Sequence, residues 1–80
     1  MCSIVGVASN KGNVCLTLYN ALTVLQHRGQ DAAGMATIDN KINLNIHKNN
    51  GLVRDVFNDD TMLQLNGDFG VGHTRYPTAG

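Results

Sequence analysis

Tryptophan is absent from this 80-residue sequence, proline occurs once, and the aromatics are limited to two tyrosines and two phenylalanines. A core without large rings has to rest on aliphatic side chains, and a chain of this length buries only about 60% of the surface it exposes when unfolded. Charge is scarce as well: charged residues make up 15% of the chain, six of each sign, for a formal net charge of zero. No basic patch or acidic tail results, which argues against nucleic acid or a membrane surface as a partner. No apolar run approaches the roughly 20 residues of a membrane span, and the N-terminus lacks the charged and apolar regions of a signal peptide. A cytoplasmic location is the expectation. The two cysteines, Cys2 and Cys15, form no CxxC pair and have no histidine at zinc-ligand spacing, so two separate thiols are expected in a reducing compartment.

What is present begins at the first two residues of MCSIVGVASN. Cys2 has no preceding element to bury it. Removal of Met1, which a small side chain at position 2 permits, would leave Cys2 with a thiol and a free α-amine on one Cα. The thiolate is the reactive form of cysteine, and an α-amine of ordinary pKa, about 7.7–8.0, exchanges protons near neutrality. One residue would then supply both nucleophile and base, the N-terminal-nucleophile arrangement. Position 2 alone does not separate this from an ordinary Met-Cys start.

The apolar, β-branched run Ile4-Val5-Gly6-Val7-Ala8 predicts a buried strand with Cys2 at its head, closed by the turn Ser9-Asn10-Lys11-Gly12-Asn13. Val14, Leu18, Leu22 and Leu25, with Ala21 beside them, follow helical spacing, so a helix is expected over Val14 to Gln26 with Gly29 as its C-terminal cap. Gly34 to Ile38 reads as a strand, Asp39-Asn40-Lys41 as a tight turn, and the alternation of Ile42, Leu44 and Ile46 with Asn43, Asn45 and His47 as a half-buried second strand of a hairpin. Leu52 to Phe57 is open between helix and loop. Asp59 or Asp60 would cap a brief helix over Thr61 to Leu65, Asn66-Gly67-Asp68 would end it, and Phe69 to Tyr76 predicts a final strand stopped by Pro77. The pattern is α+β with antiparallel pairing and one unpaired sheet edge.

Three stretches carry chemical interest: Cys2 at the head of its strand, Gln26-His27-Arg28-Gly29-Gln30-Asp31-Ala32-Ala33-Gly34, and Gly72-His73-Thr74-Arg75-Tyr76-Pro77-Thr78-Ala79-Gly80. Together they resemble the class II glutamine amidotransferases, the N-terminal-nucleophile glutaminases, and the resemblance covers essentially the whole chain. LQHRGQDAAG and RYPTAG fit the members that use phosphoribosylpyrophosphate in purine synthesis better than those that make glucosamine 6-phosphate or asparagine.

The resemblance implies the four-layer αββα sandwich of N-terminal-nucleophile hydrolases, incomplete in this chain. It implies that mature Cys2 attacks the side-chain amide of glutamine, releasing ammonia and leaving a γ-glutamyl thioester that water hydrolyses. Arg75 would hold the α-carboxylate of glutamine, for which a planar guanidinium fork is suited. Tyr76 and Thr78 would begin the loop that closes over bound glutamine and excludes water. Arg28 would stand near the nucleophile, where its charge favours thiolate. Read without the resemblance, Arg75 is equally an ion-pairing residue at a strand end and Arg28 a cation near a helix C-terminus. His73 shares a strand face with Arg75, but with the amine already available as base it is expected to be packed or hydrogen-bonded. Gln30, Asp31, Ala32, Ala33 and Gly34 are expected in local capping and packing, and Cys15 in the core.

The chain departs from the family at Ser3, where glycine is expected and where a Cβ with a hydroxyl could crowd the centre. The Asn-Gly pair of the oxyanion hole and the aspartate for the α-amine of glutamine would lie past residue 80. So would the phosphoribosyltransferase domain, with its phosphoribosylpyrophosphate and its Mg2+; no cofactor is expected in this segment. Residues 1–80 are thus expected to be the N-terminal portion of a class II glutaminase domain, inactive alone, from a full-length protein that assembles as a homo-oligomer. Two rivals remain at this level: a remnant that only binds glutamine or a partner, and a redox protein that pairs Cys2 with Cys15.

Overall fold

The computed structural model describes residues 2–10, 12–26 and 30–75. Along the chain the elements are β1 (Ser3–Ala8), α1 (Cys15–Leu25), β2 (Ala32–Ile38), β3 (Leu44–Asn50), α2 (Val53–Val56), α3 (Asp59–Gln64) and β4 (Phe69–Arg75). The strands make one antiparallel sheet in the order β1-β4-β2-β3. Ser3 therefore pairs with Thr74 at one end of β1 and Ala8 with Phe69 at the other, while β4 pairs through Arg75 with Ala32 and through Phe69 with Ile38.

Helix α1 forms where the apolar residues recur at helical spacing: Cys15, Leu18 and Leu22 are its buried residues. Its first turn is tied down by Asn13, whose Oδ1 accepts the Cys15 N–H at 3.0 Å. The helix lies close on the sheet because β4 presents glycine beneath it. A Cβ at Gly70 would stand 2.8 Å from Leu18 Cδ1, and one at Gly72 2.8 Å from Leu22 Cδ1. The core on this face combines Val14, Cys15, Leu18 and Leu22 with Met35, Val53, Phe57 and Leu65. None of the helices among the described residues is long and apolar enough to cross a membrane.

Several expected boundaries shift for identifiable reasons. Ile42 does not begin β3. It adopts φ 63° in the turn, and Asp39 organises that turn by accepting the N–H groups of Lys41 and Asn43, each at 2.9 Å. The brief helix α3 is capped by Asn58 and not by Asp59 or Asp60: Asn58 Oδ1 accepts the Thr61 N–H and Thr61 Oγ1 accepts the Asn58 N–H, both at 2.9 Å. Leu52 to Phe57 resolves into the short helix α2. The expected Gly29 cap lies outside the described residues.

The largest difference concerns which face is covered. β1 is an edge strand whose alternate residues point away from the helices, leaving Ile4 79% exposed. On β3 the apolar residues Leu44 and Ile46 are likewise 60% and 61% exposed, while Asn45 and His47 face inward. Together with Phe69 and Val71 they make a bare apolar face opposite α1. The period of two on β3 is as expected, while β1, expected as a buried strand, is exposed on alternate residues.

Candidate active site

Cys2 immediately precedes β1 and is exposed, with its thiol free. Arg75 closes β4 and is also exposed. The β1–β4 register ends at the Ser3–Thr74 pair, so Cys2 and Arg75 each follow directly on a paired residue, at adjacent strand ends. Because Thr74 is turned into the core, its neighbours His73 and Arg75 share the bare face.

The strand end that carries Arg75 is pinned from below. Thr74 Oγ1 donates to Gln30 Oε1 at 3.0 Å, and both residues are buried. Gln26 Nε2 donates to the Gln30 carbonyl at 3.2 Å, while its Oε1 accepts the Val53 N–H at 3.0 Å. The Arg75 carbonyl accepts the Asp31 N–H at 3.0 Å. Both sides of the Gln26–Gln30 stretch are thereby joined to β4 and α2. Gln30 thus pairs locally with Gln26 and, through its side chain, over long range with Thr74.

Ser3, the departure from the family pattern, points to the helix side. Its Oγ donates to the Leu25 carbonyl at 3.3 Å, taking up one of the carbonyls at the C-terminal end of α1. The hydroxyl is thus directed away from the bare face that carries Arg75.

Beside Arg75 lies a cavity of about 360 Å³ lined by Ala32, Ala33, Lys48, Asn49, Asn50, His73 and Arg75. Among the described residues its lining holds three nitrogen-bearing basic side chains, two amides and no carboxylate. Lys48 and Asn50 were not singled out from the sequence. The signal available was the hairpin itself, which pairs Lys48 with Gly34 and Asn50 with Ala32 once its alternation is continued past His47.

Of the other residues of interest, Arg28, Tyr76 and Thr78 lie outside the described residues, as does His27. Cys15 is buried in the α1 core, where burial pushes its thiol above the ordinary value. Both cysteines are free thiols. His47, for which the sequence offered no partner, hydrogen-bonds the Val56 carbonyl through Nε2 at 3.0 Å and meets the Phe57 ring edge-on at 5.8 Å. Among the described residues no group of three or more His, Cys, Asp or Glu could hold a metal ion.

The fold and the site together define a class. The structure superposes on glutamine phosphoribosylpyrophosphate amidotransferase from B. subtilis, solved with ADP and GMP, with a TM-score of 0.83 at 32% identity, covering 99% of this chain and 17% of that one. The fold is accordingly part of an N-terminal-nucleophile hydrolase fold. No family model matches the chain. Curated relatives include amidophosphoribosyltransferases from Pseudomonas aeruginosa, 60% identical over 81 residues, and from Escherichia coli, 56% identical over 80 residues, each match covering 100% of this chain. The chain belongs, over its whole length, with the N-terminal part of the amidophosphoribosyltransferases. It spans about 16% of the length of these relatives.

Proposed function

We propose that this chain is the nucleophile-bearing part of a glutaminase site. With Met1 removed, the Cys2 thiolate attacks the glutamine side-chain amide and its α-amine moves the proton to departing ammonia; water then hydrolyses the γ-glutamyl thioester to glutamate. Arg75 binds the glutamine α-carboxylate, Tyr76 and Thr78 begin the closing loop, and the charge of Arg28 favours the Cys2 thiolate. The observation that carries this reading is the placement of Cys2 and Arg75 at adjacent strand ends next to an open basic cavity.

The ammonia passes to a phosphoribosyltransferase domain and displaces pyrophosphate from phosphoribosylpyrophosphate, giving 5-phosphoribosylamine, the first step of purine synthesis. The names of the relatives support that second reaction. Mg2+ belongs with the phosphoribosyl half, and no step at Cys2 needs it. The protein works in the cytoplasm as a homo-oligomer. Residues 1–80 alone lack the oxyanion donors, whose removal costs about 10²–10³ in rate even singly, so the isolated chain turns over glutamine negligibly.

Intact mass before and after exposure to diazo-oxo-norleucine tests the reading. Loss of Met1 and a single adduct mapped to Cys2 is the expected result. Retained Met1, or label shared equally with Cys15, would overturn it.

A further inference from the structure

Strand β2 runs between β4 and β3, and its residues on the bare face are small where the basic side chains gather. Ala32 pairs with Arg75 on one side and Asn50 on the other, and Gly34 with His73 and Lys48. Two small residues thus floor a trough whose walls are polar side chains from both neighbouring strands. Gly34 is needed there, since a Cβ would come 2.9 Å from His73 Cδ2 and 3.1 Å from Lys48 Cβ. Farther along the same three strands the face becomes apolar, with Val71, Ala36 and Ile46 in one row and Phe69, Ile38 and Leu44 in the next. The polarity changes at the Gly34 row, and the basic end is the end that holds Arg75.

A trough with lysine and arginine on opposite walls and, among the described residues, no carboxylate in its lining is suited to a small anion. We infer that Lys48 is a second carboxylate-binding residue: the glutamine α-carboxylate sits over Ala32 between Arg75 and Lys48, while the amide end reaches past Arg75 to Cys2. This rests on the glutamine reading of the site above. Arg75 fixes the orientation of the carboxylate through its fork, and Lys48 adds a point charge from across the trough. The pair discriminates between glutamine and amides that lack the α-carboxylate.

The experiment places this chain in the Escherichia coli amidophosphoribosyltransferase in exchange for the matching N-terminal segment, and measures glutaminase kinetics. Lys48→Met is expected to raise KM for glutamine about three- to tenfold with kcat within about twofold, and Lys48→Arg to restore most of the loss. Hydrolysis of 4-aminobutanamide, which is glutamine without its α-carboxylate, is expected to be unchanged by Lys48→Met. An unchanged KM in Lys48→Met, with a raised KM in Arg75→Met, overturns the role of Lys48 and leaves the glutamine reading standing. If neither substitution moves KM, the reading of Arg75 fails and the role of Lys48 with it. Should the exchange fail to fold, the same substitutions are made in the full-length protein that carries this chain, where an unchanged KM in Lys48→Met beside a raised KM in Arg75→Met would overturn the inference.

Discussion

Thr74 and Gln30 are joined side chain to side chain at 3.0 Å in the core, 44 residues apart in sequence. The bond locks the strand that ends in Arg75 to the stretch that follows α1. Replacing a buried donor while its acceptor stays in place exposes the asymmetry of hydrogen bonding, because the desolvation cost persists after the bond is gone. Thr74→Val, close to isosteric, is expected to lower stability by about 1–3 kcal/mol in urea unfolding.

Ser3→Ala is expected to be mild by contrast. The Ser3 hydroxyl bonds a partly exposed carbonyl at 3.3 Å and points away from the bare face. Stability should fall by less than about 1 kcal/mol, and the alkylation rate of Cys2 by iodoacetamide should stay within about twofold of the parent. A tenfold change in that rate would mean that residue 3 acts on the nucleophile directly.

Gly34→Ala drives a methyl group into the His73 ring and against Lys48. Overpacking of this kind costs about 1–3 kcal/mol. Because the tightest obstacle is the His73 ring, the double substitution Gly34→Ala with His73→Ala should recover at least half of the loss, a coupling that thermal unfolding of the four variants measures.

The two thiols should separate cleanly. Exposed Cys2 is expected to react at once with Ellman's reagent, and buried Cys15 only on unfolding. Burial also raises the Cys15 pKa, so the folded state holds its proton at a pH where the unfolded chain has released it. The contribution is intact below the unfolded thiol value of about 8.5 and is lost as pH rises through the folded value. Cys15→Ala should flatten the alkaline fall of stability between those limits.

Asp39 works in the opposite direction. The Asn43 N–H bound to its carboxylate, helped by the Asn43 side chain and by Lys41, holds its pKa below 3.8. Its contribution is present above the unfolded value and lost as pH falls through the folded one. Asp39→Asn should therefore flatten the acid limb of the stability profile, with no change at neutral pH in that slope.

Local signals in the sequence carried much of the architecture. The apolar spacing from Val14 to Leu22 located α1, and the alternation around Leu44 and Ile46 located β3, because both periods are set by backbone geometry within a few residues. What alternation does not state is which side is covered. Leu44, Ile46 and Ile4 are apolar yet face away from α1, so β1, expected as a buried strand, is exposed along one side. The cap of α3 escaped because threonine, not glutamate or glutamine, completes its reciprocal bond with Asn58. At the candidate site, Cys2 and Arg75 were singled out from motif and chemistry. Lys48 and Asn50 were not, since they enter through register with β2, and Gln30 escaped because its partner lies in the last strand.

β1 is bonded to a single neighbour, and that neighbour is the last strand of the described chain. Closing this pair spans nearly the whole length of the described residues, the most non-local contact the sheet makes and one whose loop-closure entropy is paid late in folding. The same pair opens when that edge frays. Fraying there would carry Cys2 away from Arg75 while β4, β2 and β3 remain paired, a local event that leaves the helix-covered core intact. Reactivity at Cys2 is for this reason a gauge of edge-strand docking and not of global stability.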